Sequence, residues 1–304
     1  MNPFLPDFPP AGSSVSFSAG TKQPNPGKWR LVQPDGAEKL ACLLSRFPDL
    51  LADGPAPSFL INAYPAQITP PGQLVFVDSY GRWQTFCGAL AFAASQGGTC
   101  LITSMPLTLA HLILRALRQK TIFPKHLVLL MGGYYCPQSL ELFILDLLQR
   151  AHVTAKTLHL YGVGEINAGL LAAQRTADSP GLLFHSVDPS WQPVVVDSLL
   201  HFRHTAHPST VLPTDDHAEM TERGIRLLLS DSRLSPNIRG LLESWPRDMW
   251  AHRTGFLAHE RGRIVFQCRP GNNPIAARDE YEHFDFCRRF GHSWLDKPDW
   301  GDPA

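Results

Sequence analysis

Net charge is the first thing this 304-residue sequence lacks: 27 Lys and Arg balance 27 Asp and Glu. With no field of one sign over the surface, nucleic acid and anionic membranes are not expected partners. Paired cysteine motifs are missing too. The six cysteines (Cys42, Cys87, Cys100, Cys136, Cys268, Cys287) are scattered without a CxxC pair, and several lie inside apolar runs. That distribution argues against a disulfide or zinc framework and for buried thiols. No apolar run reaches the length of a membrane span. The opening residues, MNPFLPDFPPAGSS, carry proline where a signal peptide is apolar, so no leader is expected and the chain is read as cytoplasmic. No Gly-x-Ser-x-Gly elbow is present, which removes the hydrolase nucleophile signature. No dinucleotide glycine fingerprint follows the first strand, which sets aside NAD and FAD. Internal repeats are absent as well. What remains is 44% hydrophobic and 18% charged residues, a globular composition with enough apolar mass for a core.

Residues 1–60 read as an irregular arm, rich in Pro, Gly and Ser, with a short strand near Lys28–Val32 and a first helix over Ala37–Leu51. A Pro-rich joint follows at 54–58. Residues 61–180 read as an α/β core. It holds a strand at Leu74–Val77, a helix over Arg82–Ser95 capped by Gly97-Gly98, a strand at Thr99–Thr103 and a helix over Met105–Arg118. Strands alternating with helices make one parallel sheet covered on both faces. Residues 181–275 change texture. Short apolar runs (Leu182–Phe184, Pro193–Val196, Leu199–Phe202, Ile225–Leu229, Ile264–Gln267) separated by turn residues predict a mostly-β subdomain, a small antiparallel barrel or sheet. Residues 276–304 form an aromatic, charged tail expected to dock on the body.

The core is organised around residues 126–168. The apolar run His126–Met131 stops at Gly132-Gly133, as a buried strand stops in a turn. Pro137 can open a helix whose Leu140, Leu142, Ile144, Leu145, Leu147 and Leu148 form a wide apolar face. A second strand, Thr157–Tyr161, ends at Gly162-Val163-Gly164-Glu165. Two glycine turns side by side at the carboxyl ends of parallel strands mark the edge where open α/β sheets bind ligands. Gly132, Gly133 and Tyr134 form one rim, and Tyr161, Gly162 and Glu165 the other. Glycine lets a flat base approach the backbone, Tyr161 can stack on it, and Glu165 can hold a magnesium ion near phosphates. The same glycines also suit the bare geometry of two βα turns. In HFRHTAH, His201 and His204 fall on opposite faces of a strand, so these histidines, with His207 and the following Asp215, Asp216 and His217, are not expected to form a metal site, and the histidines are read as surface or turn residues.

The segment LHLYGVGEINAGLLA resembles the Tyr-Gly-x-Thr-Glu motif of the adenylate-forming superfamily (acyl-CoA synthetases, peptide-synthetase adenylation domains, luciferases). LVLLMGGYYCPQSL resembles the Gly-Gly-Glu stretch one βα unit earlier. DMWAHRTGFLAHERGRIVFQCRPGNN resembles the Trp-x-x-Thr-Gly-Asp…Gly-Arg run, and Ile225–Ser230 the strand before it. The likeness spans roughly residues 70–275, with the motifs in order. It implies an enzyme that activates a carboxylic acid with ATP and Mg²⁺, through an acyl-adenylate and with pyrophosphate released. Gly132, Gly133, Tyr134, Tyr161, Gly162, Glu165 and Arg269 would hold ATP or AMP, with Glu165 on the metal. Thr21 and Lys22, within SFSAGTKQPNPGKWR, would stand for the phosphate loop.

The departures are specific. Phe256 follows Thr254-Gly255 where the family has the ribose-binding Asp, and phenylalanine cannot accept those hydrogen bonds. Gly164 replaces the Thr before Glu, Tyr134 replaces the Glu after Gly-Gly, and Cys268 precedes Arg269. Too few residues follow Arg269 for the family's C-terminal lysine domain, so that domain is expected to be absent and the core trimmed at both ends, with a protein partner expected to supply the missing regions if the chemistry is to run. These departures motivate two alternatives. One is a catalytically degenerate fold acting as a partner subunit, or as an acyl- or nucleotide-binding module in a biosynthetic pathway. The other is ATP-independent acyl chemistry with Cys136 as the thiol.

Overall fold

In chain order the elements are β1 (Ser14–Phe17), β2 (Trp29–Val32), α1 (Gly36–Arg46), a 3-10 turn (Pro48–Leu51), β3 (Pro57–Asn62), β4 (Val75–Asp78), α2 (Trp83–Gln96), β5 (Thr99–Ser104), α3 (Pro106–Arg118), β6 (His126–Met131), α4 (Gln138–Arg150), β7 (Thr154–Val163), β8 (Asn167–Ala173) and β9 (His185–Ser186). They continue with β10 (Trp191–Val196), β11 (Leu199–His204), β12 (Val211–Thr221), β13 (Gly224–Leu227), β14 (Leu257–Glu260), β15 (Arg263–Phe266) and β16 (Asp299–Gly301). This computed structural model describes residues 14–17, 29–32, 36–52, 54–64, 68, 74–79, 82–133, 136, 138–163, 167–175, 182–227, 257–260, 263–266 and 299–301.

A seven-stranded sheet runs in the order β4-β3-β5-β6-β7-β8-β9. Its first five strands are parallel, and β8 and β9 close it antiparallel. From β4 onward each crossover leads in the same direction along the sheet. Right-handed connections therefore stack α2, α3 and α4 on one face. Their Phe86, Leu90, Leu109, Ile113, Ile144 and Leu148 pack against Ile61, Ile102, Leu129 and Met131. The opposite face belongs to α1 and the 3-10 turn, whose Leu43 and Leu50 meet Leu60, Leu101, Val128 and Leu158. Alternate residues of each central strand serve the two layers, which is why these strands read as unbroken apolar runs.

A second sheet, β10-β11-β12-β13, is antiparallel, as expected of the mostly-β region. Its inner residues Trp191, Leu200, Phe202, Ala218 and Ile225 pack with Tyr161, Leu171, Ala173 and Phe184 from the β7–β9 end of the large sheet. The helix layer and the second sheet are thus anchored on different stretches of the large sheet.

Three expectations are corrected. Residues 54–58, read as a joint, lead directly into β3, a strand paired on both sides. Its apolar run was too short and too close to prolines to register. The strand predicted to stop at Gly162 continues to Val163 and returns as β8 in a hairpin, with a register shift between Tyr161 and Val163. Glycine in a strand commonly marks such a bulge. The arm strand near residue 30 is real, but it pairs with an unforeseen partner, Ser14–Phe17.

Helices α3 and α4 end alike. Lys120 and His152 take left-handed φ values of 53° and 58°. The next amides reach back five residues, Thr121 N to Ala116 O at 2.9 Å and Val153 N to Leu148 O at 3.0 Å. Both are Schellman closures without the usual glycine. Lys120→Gly and His152→Gly are each expected to raise stability by about 0.5–1 kcal/mol by relieving the left-handed Cβ, read as a rise in the urea midpoint at unchanged m-value.

Candidate functional site

The carboxyl edge of the parallel strands is lined by residues that follow β3, β4, β5 and β6. Asn62, fully buried, donates through Nδ2 to Asp78 Oδ1 at 3.1 Å, and its Oδ1 accepts the Tyr64 amide at 3.0 Å. The Asn62 carbonyl accepts both the Ser79 amide and the Ser79 hydroxyl, at 2.8 and 2.9 Å. Ser104 Oγ donates to the Ala63 carbonyl at 3.4 Å, and the Gly132 amide donates to the Ser104 carbonyl at 3.1 Å. Buried polar groups that pair with one another in this way hold the strand ends in fixed positions.

The glycine pair sits on this edge, and each member has its own steric reason. A Cβ on Gly132 would stand 3.2 Å from the Leu160 carbonyl oxygen of β7. Gly133 has φ +94°, and a Cβ there would meet the Tyr64 hydroxyl at 2.8 Å and Met105 Cγ at 3.1 Å. Gly132 therefore permits the close approach of two strands, and Gly133 both a left-handed turn and the approach of Tyr64. The half-buried Tyr64 lies over the turn where a flat base was expected. Nothing in its local sequence, Asn62-Ala63-Tyr64-Pro65, suggested that position.

Tyr161 is placed differently from the expectation of an exposed stacking ring. It is 6% exposed. Its ring stacks on Phe202 at 6.2 Å with an interplanar angle of 22°, and meets Phe184 edge-on at 6.4 Å. Its hydroxyl donates to the buried Asp216 carboxylate on β12. The ring occupies the core between the two sheets because alternation along β7 turns it toward them. Gly162 is half-buried at the bulge. Tyr134, Glu165, Arg269, Thr21 and Lys22 lie outside the described residues, as do Gly164, Phe256 and Cys268.

Cys136 is buried at 1% exposure. Burial above all, and then the nearby Glu141 charge, pushes its thiol well above the ordinary range. A nucleophilic thiolate needs the opposite environment, so the reading of Cys136 as an acyl-accepting thiol is withdrawn.

A buried polar group that no local sequence pattern pointed to lies just behind the edge. Glu141, in the first turn of α4 and 4% exposed, accepts hydrogen bonds from the Thr157 hydroxyl, from His159 Nε2 at 3.0 Å and from Arg175 Nε at 2.7 Å. Arg175 also donates through Nη2 to the Cys136 carbonyl at 2.6 Å. Burial alone would raise the Glu141 carboxyl's pKa. The bonds and charges of His159, Thr157 and Arg175 outweigh it and hold the group below its ordinary value. A carboxylate within LELFILDLL and a histidine within TLHLY were the available signals. Elsewhere, His204 stands edge-on to Trp191 at 4.9 Å and beside His207 at 5.1 Å, while His201 pairs across from Val194 on the other face of β11.

No family model matches the sequence, and no curated protein matches it in a sequence search. Among solved structures, the chain is similar to an acyl-CoA synthetase (AMP-forming)/AMP-acid ligase II-like protein from Dyadobacter fermentans. The identity is 13% and the TM-score 0.43, over 84% of this chain and 63% of that one. Coronafacic acid ligase from Pectobacterium brasiliense matches at 13% identity and a TM-score of 0.45, over 78% of this chain and 47% of the other. MenE of E. coli, with a bound OSB-AMS analogue, matches at 15% identity and a TM-score of 0.40, over 66% and 45%. The chain spans about half the length of these structures. The likeness concerns the path of the chain, and no residue role is taken from it.

Two outcomes follow from this geometry. Gly133→Ala is expected to cost roughly 1–3 kcal/mol, from the left-handed backbone and the clash with Tyr64; Tyr64→Ala in the same chain should recover part of that loss in a double-mutant cycle. Because the Glu141 carboxyl is depressed when folded, it stabilises the fold above its ordinary value of 4.5 and loses that contribution as pH falls through the lower folded value. Glu141→Gln should therefore cost about 3–5 kcal/mol at pH 7 and flatten the loss of urea resistance below about pH 4.5.

Proposed function

We propose that the chain is an adenylation-fold protein that binds an adenine nucleotide and a carboxylic acid at the carboxyl edge of its large sheet and joins them as an acyl-adenylate. The observation that carries this reading is the placement of the two glycine-bearing segments. Leu127–Gly133 and Leu158–Gly162, which resemble consecutive motifs of the adenylate-forming superfamily, stand on adjacent parallel strands with Met131 paired to His159. In the chemistry proposed, a carboxylate oxygen attacks the α-phosphate in line and pyrophosphate leaves. The protein's part is to hold the reactants together and offset charge at the phosphates. Gly132, Gly133, Tyr134 and Gly162 would line the nucleotide side, with Arg269, Thr21 and Lys22 toward ribose and phosphate.

As the edge stands, a flat base reaches Gly133 only after Tyr64 moves aside, since that hydroxyl already lies 2.8 Å from the Gly133 Cβ position. Magnesium enters this reading through Glu165 alone. Among the described residues no three His, Cys, Asp or Glu side chains come together to hold a metal ion. The cytoplasm is the proposed compartment. No described helix is long and apolar enough to cross a membrane, and Cys42, Cys87, Cys100 and Cys136 form no disulfide among the described residues.

A second reading, a partner subunit or ligand-binding module without turnover, is favoured by one specific observation: Tyr161 stacks on Phe202 where the catalytic reading wants an open ring face, and Tyr64 covers Gly133. ATP–pyrophosphate exchange separates the two. With a panel of fatty, aryl and amino acids, at least one acid should support exchange, and Glu165→Gln should lower it about tenfold or more, a loss of about 1.4 kcal/mol of transition-state stabilisation. No exchange with any acid, no thermal shift with AMP, and a stable complex with another protein of the pathway would establish the second reading instead.

A further inference from the structure

Glu141, Thr157, His159 and Arg175 are drawn from three places that the chemistry above does not use: the first turn of α4, the face of β7 turned toward α4, and the end of β8. A buried ion pair of this kind is no stronger a glue than well-packed leucines, because desolvating two charges offsets most of their attraction. What such a pair adds is direction. The planar guanidinium of Arg175 presents donors at fixed angles. One goes to the Glu141 carboxylate at 2.7 Å and another to the Cys136 carbonyl at 2.6 Å. The Glu141 main-chain N–H in turn hydrogen-bonds the Cys136 side chain. The Thr157 hydroxyl and His159 Nε2 complete the set of partners around the same carboxylate.

The position of the fork gives it a role. Cys136 lies three residues beyond Gly133, on the connection that leaves β6. Arg175 lies two residues beyond the end of β8, and β8 is the return strand of the hairpin that begins at Tyr161 and Gly162. Ala173 pairs with His159 across the hairpin, so this one side chain ties the connection that leaves the Gly132-Gly133 turn to the β7–β8 pair beside Thr157 and His159. We propose that Arg175, braced by Glu141, is a positioning residue that sets the spacing between the connection leaving the Gly132-Gly133 rim and the β7–β8 pair at Thr157 and His159, the strands that run on to the second rim. The spacing role stands on geometry alone; its consequence for ligand binding rests on the adenylation reading.

The test uses the full chain. Arg175→Lys keeps the charge and removes the two-point fork. Amide exchange is followed at Cys136 and Glu141, with Ile102 in β5 and Phe202 in β11 as references, alongside calorimetric titration with AMP. The Cys136 and Glu141 amides should exchange about tenfold faster or more while Ile102 and Phe202 stay within about twofold, since loss of a local tie opens one region and not the whole fold. If Cys136 and Glu141 keep wild-type exchange, or if all four amides accelerate together, the positioning role is overturned. Should Arg175→Lys fail to fold, Glu141→Asp, which keeps the carboxylate and shortens its reach, is read on the same amides with the same criteria. Where the wild type binds AMP, Arg175→Lys should weaken binding about tenfold, and unchanged affinity overturns the effect on the site. Where the wild type does not bind AMP, the adenylation reading fails by itself, and the exchange of Cys136 and Glu141 decides the spacing role.

Discussion

The approach of β7 to β6 at Gly132 sets the terms for everything around it. The two strands pair in parallel from His126 to Met131, and at Gly132 a Cβ would press on the Leu160 carbonyl oxygen at 3.2 Å. That closeness places the β6 turn directly beside the strand that continues into the β8 hairpin. The crossover helix α4 must then lie over both, and its first turn brings Glu141 onto Thr157 and His159. Apolar packing fills the rest of the α4 interface, from Phe143 through Leu148. The polar group occurs only where the helix layer gives way to the second sheet. A boundary between two apolar clusters is where a buried charge set can be reached by a long side chain such as Arg175 from the neighbouring hairpin.

What was legible in the sequence was whatever repeats over many residues. Helices α1 to α4 and strands β5 and β6 announce themselves by apolar period and run length, and their ends by Pro106 and Gly97. The antiparallel character of the second sheet was legible from short runs spaced by turn residues. Strand β3 was hidden because Pro55 and Pro57 overlap its start. Strand β8, Asn-Ala-Gly-Leu-Leu-Ala-Ala, was hidden because small residues carry no strand propensity; it exists because β7 supplies a partner.

The candidate site was legible only as a place. Two glycine turns at the ends of neighbouring strands could be read from residue order, and the structure sets Gly132 and Gly133 on that edge. Which groups face the space could not be read. Tyr64 arrives from β3, some seventy residues before the turn it covers. Tyr161 faces inward and its hydroxyl meets Asp216, which belongs to a strand of another sheet. Both outcomes depend on contacts between segments far apart in the chain, and local pattern carries no information about them.

The bond between Tyr161 and Asp216 also bears on how the chain reaches this state. Its partners are 55 positions apart, and they meet only once β10, β11 and β12 have formed their meander and come to rest on the end of the large sheet. Closing so long a loop costs chain entropy before the bond returns anything. The parallel layer, built from neighbouring βα units, can collapse first, with the aromatic face of β7 still wet. Docking of the second sheet is then the late, slow event, and an exposed β7–β8 hairpin is the segment through which a stalled chain would associate with another.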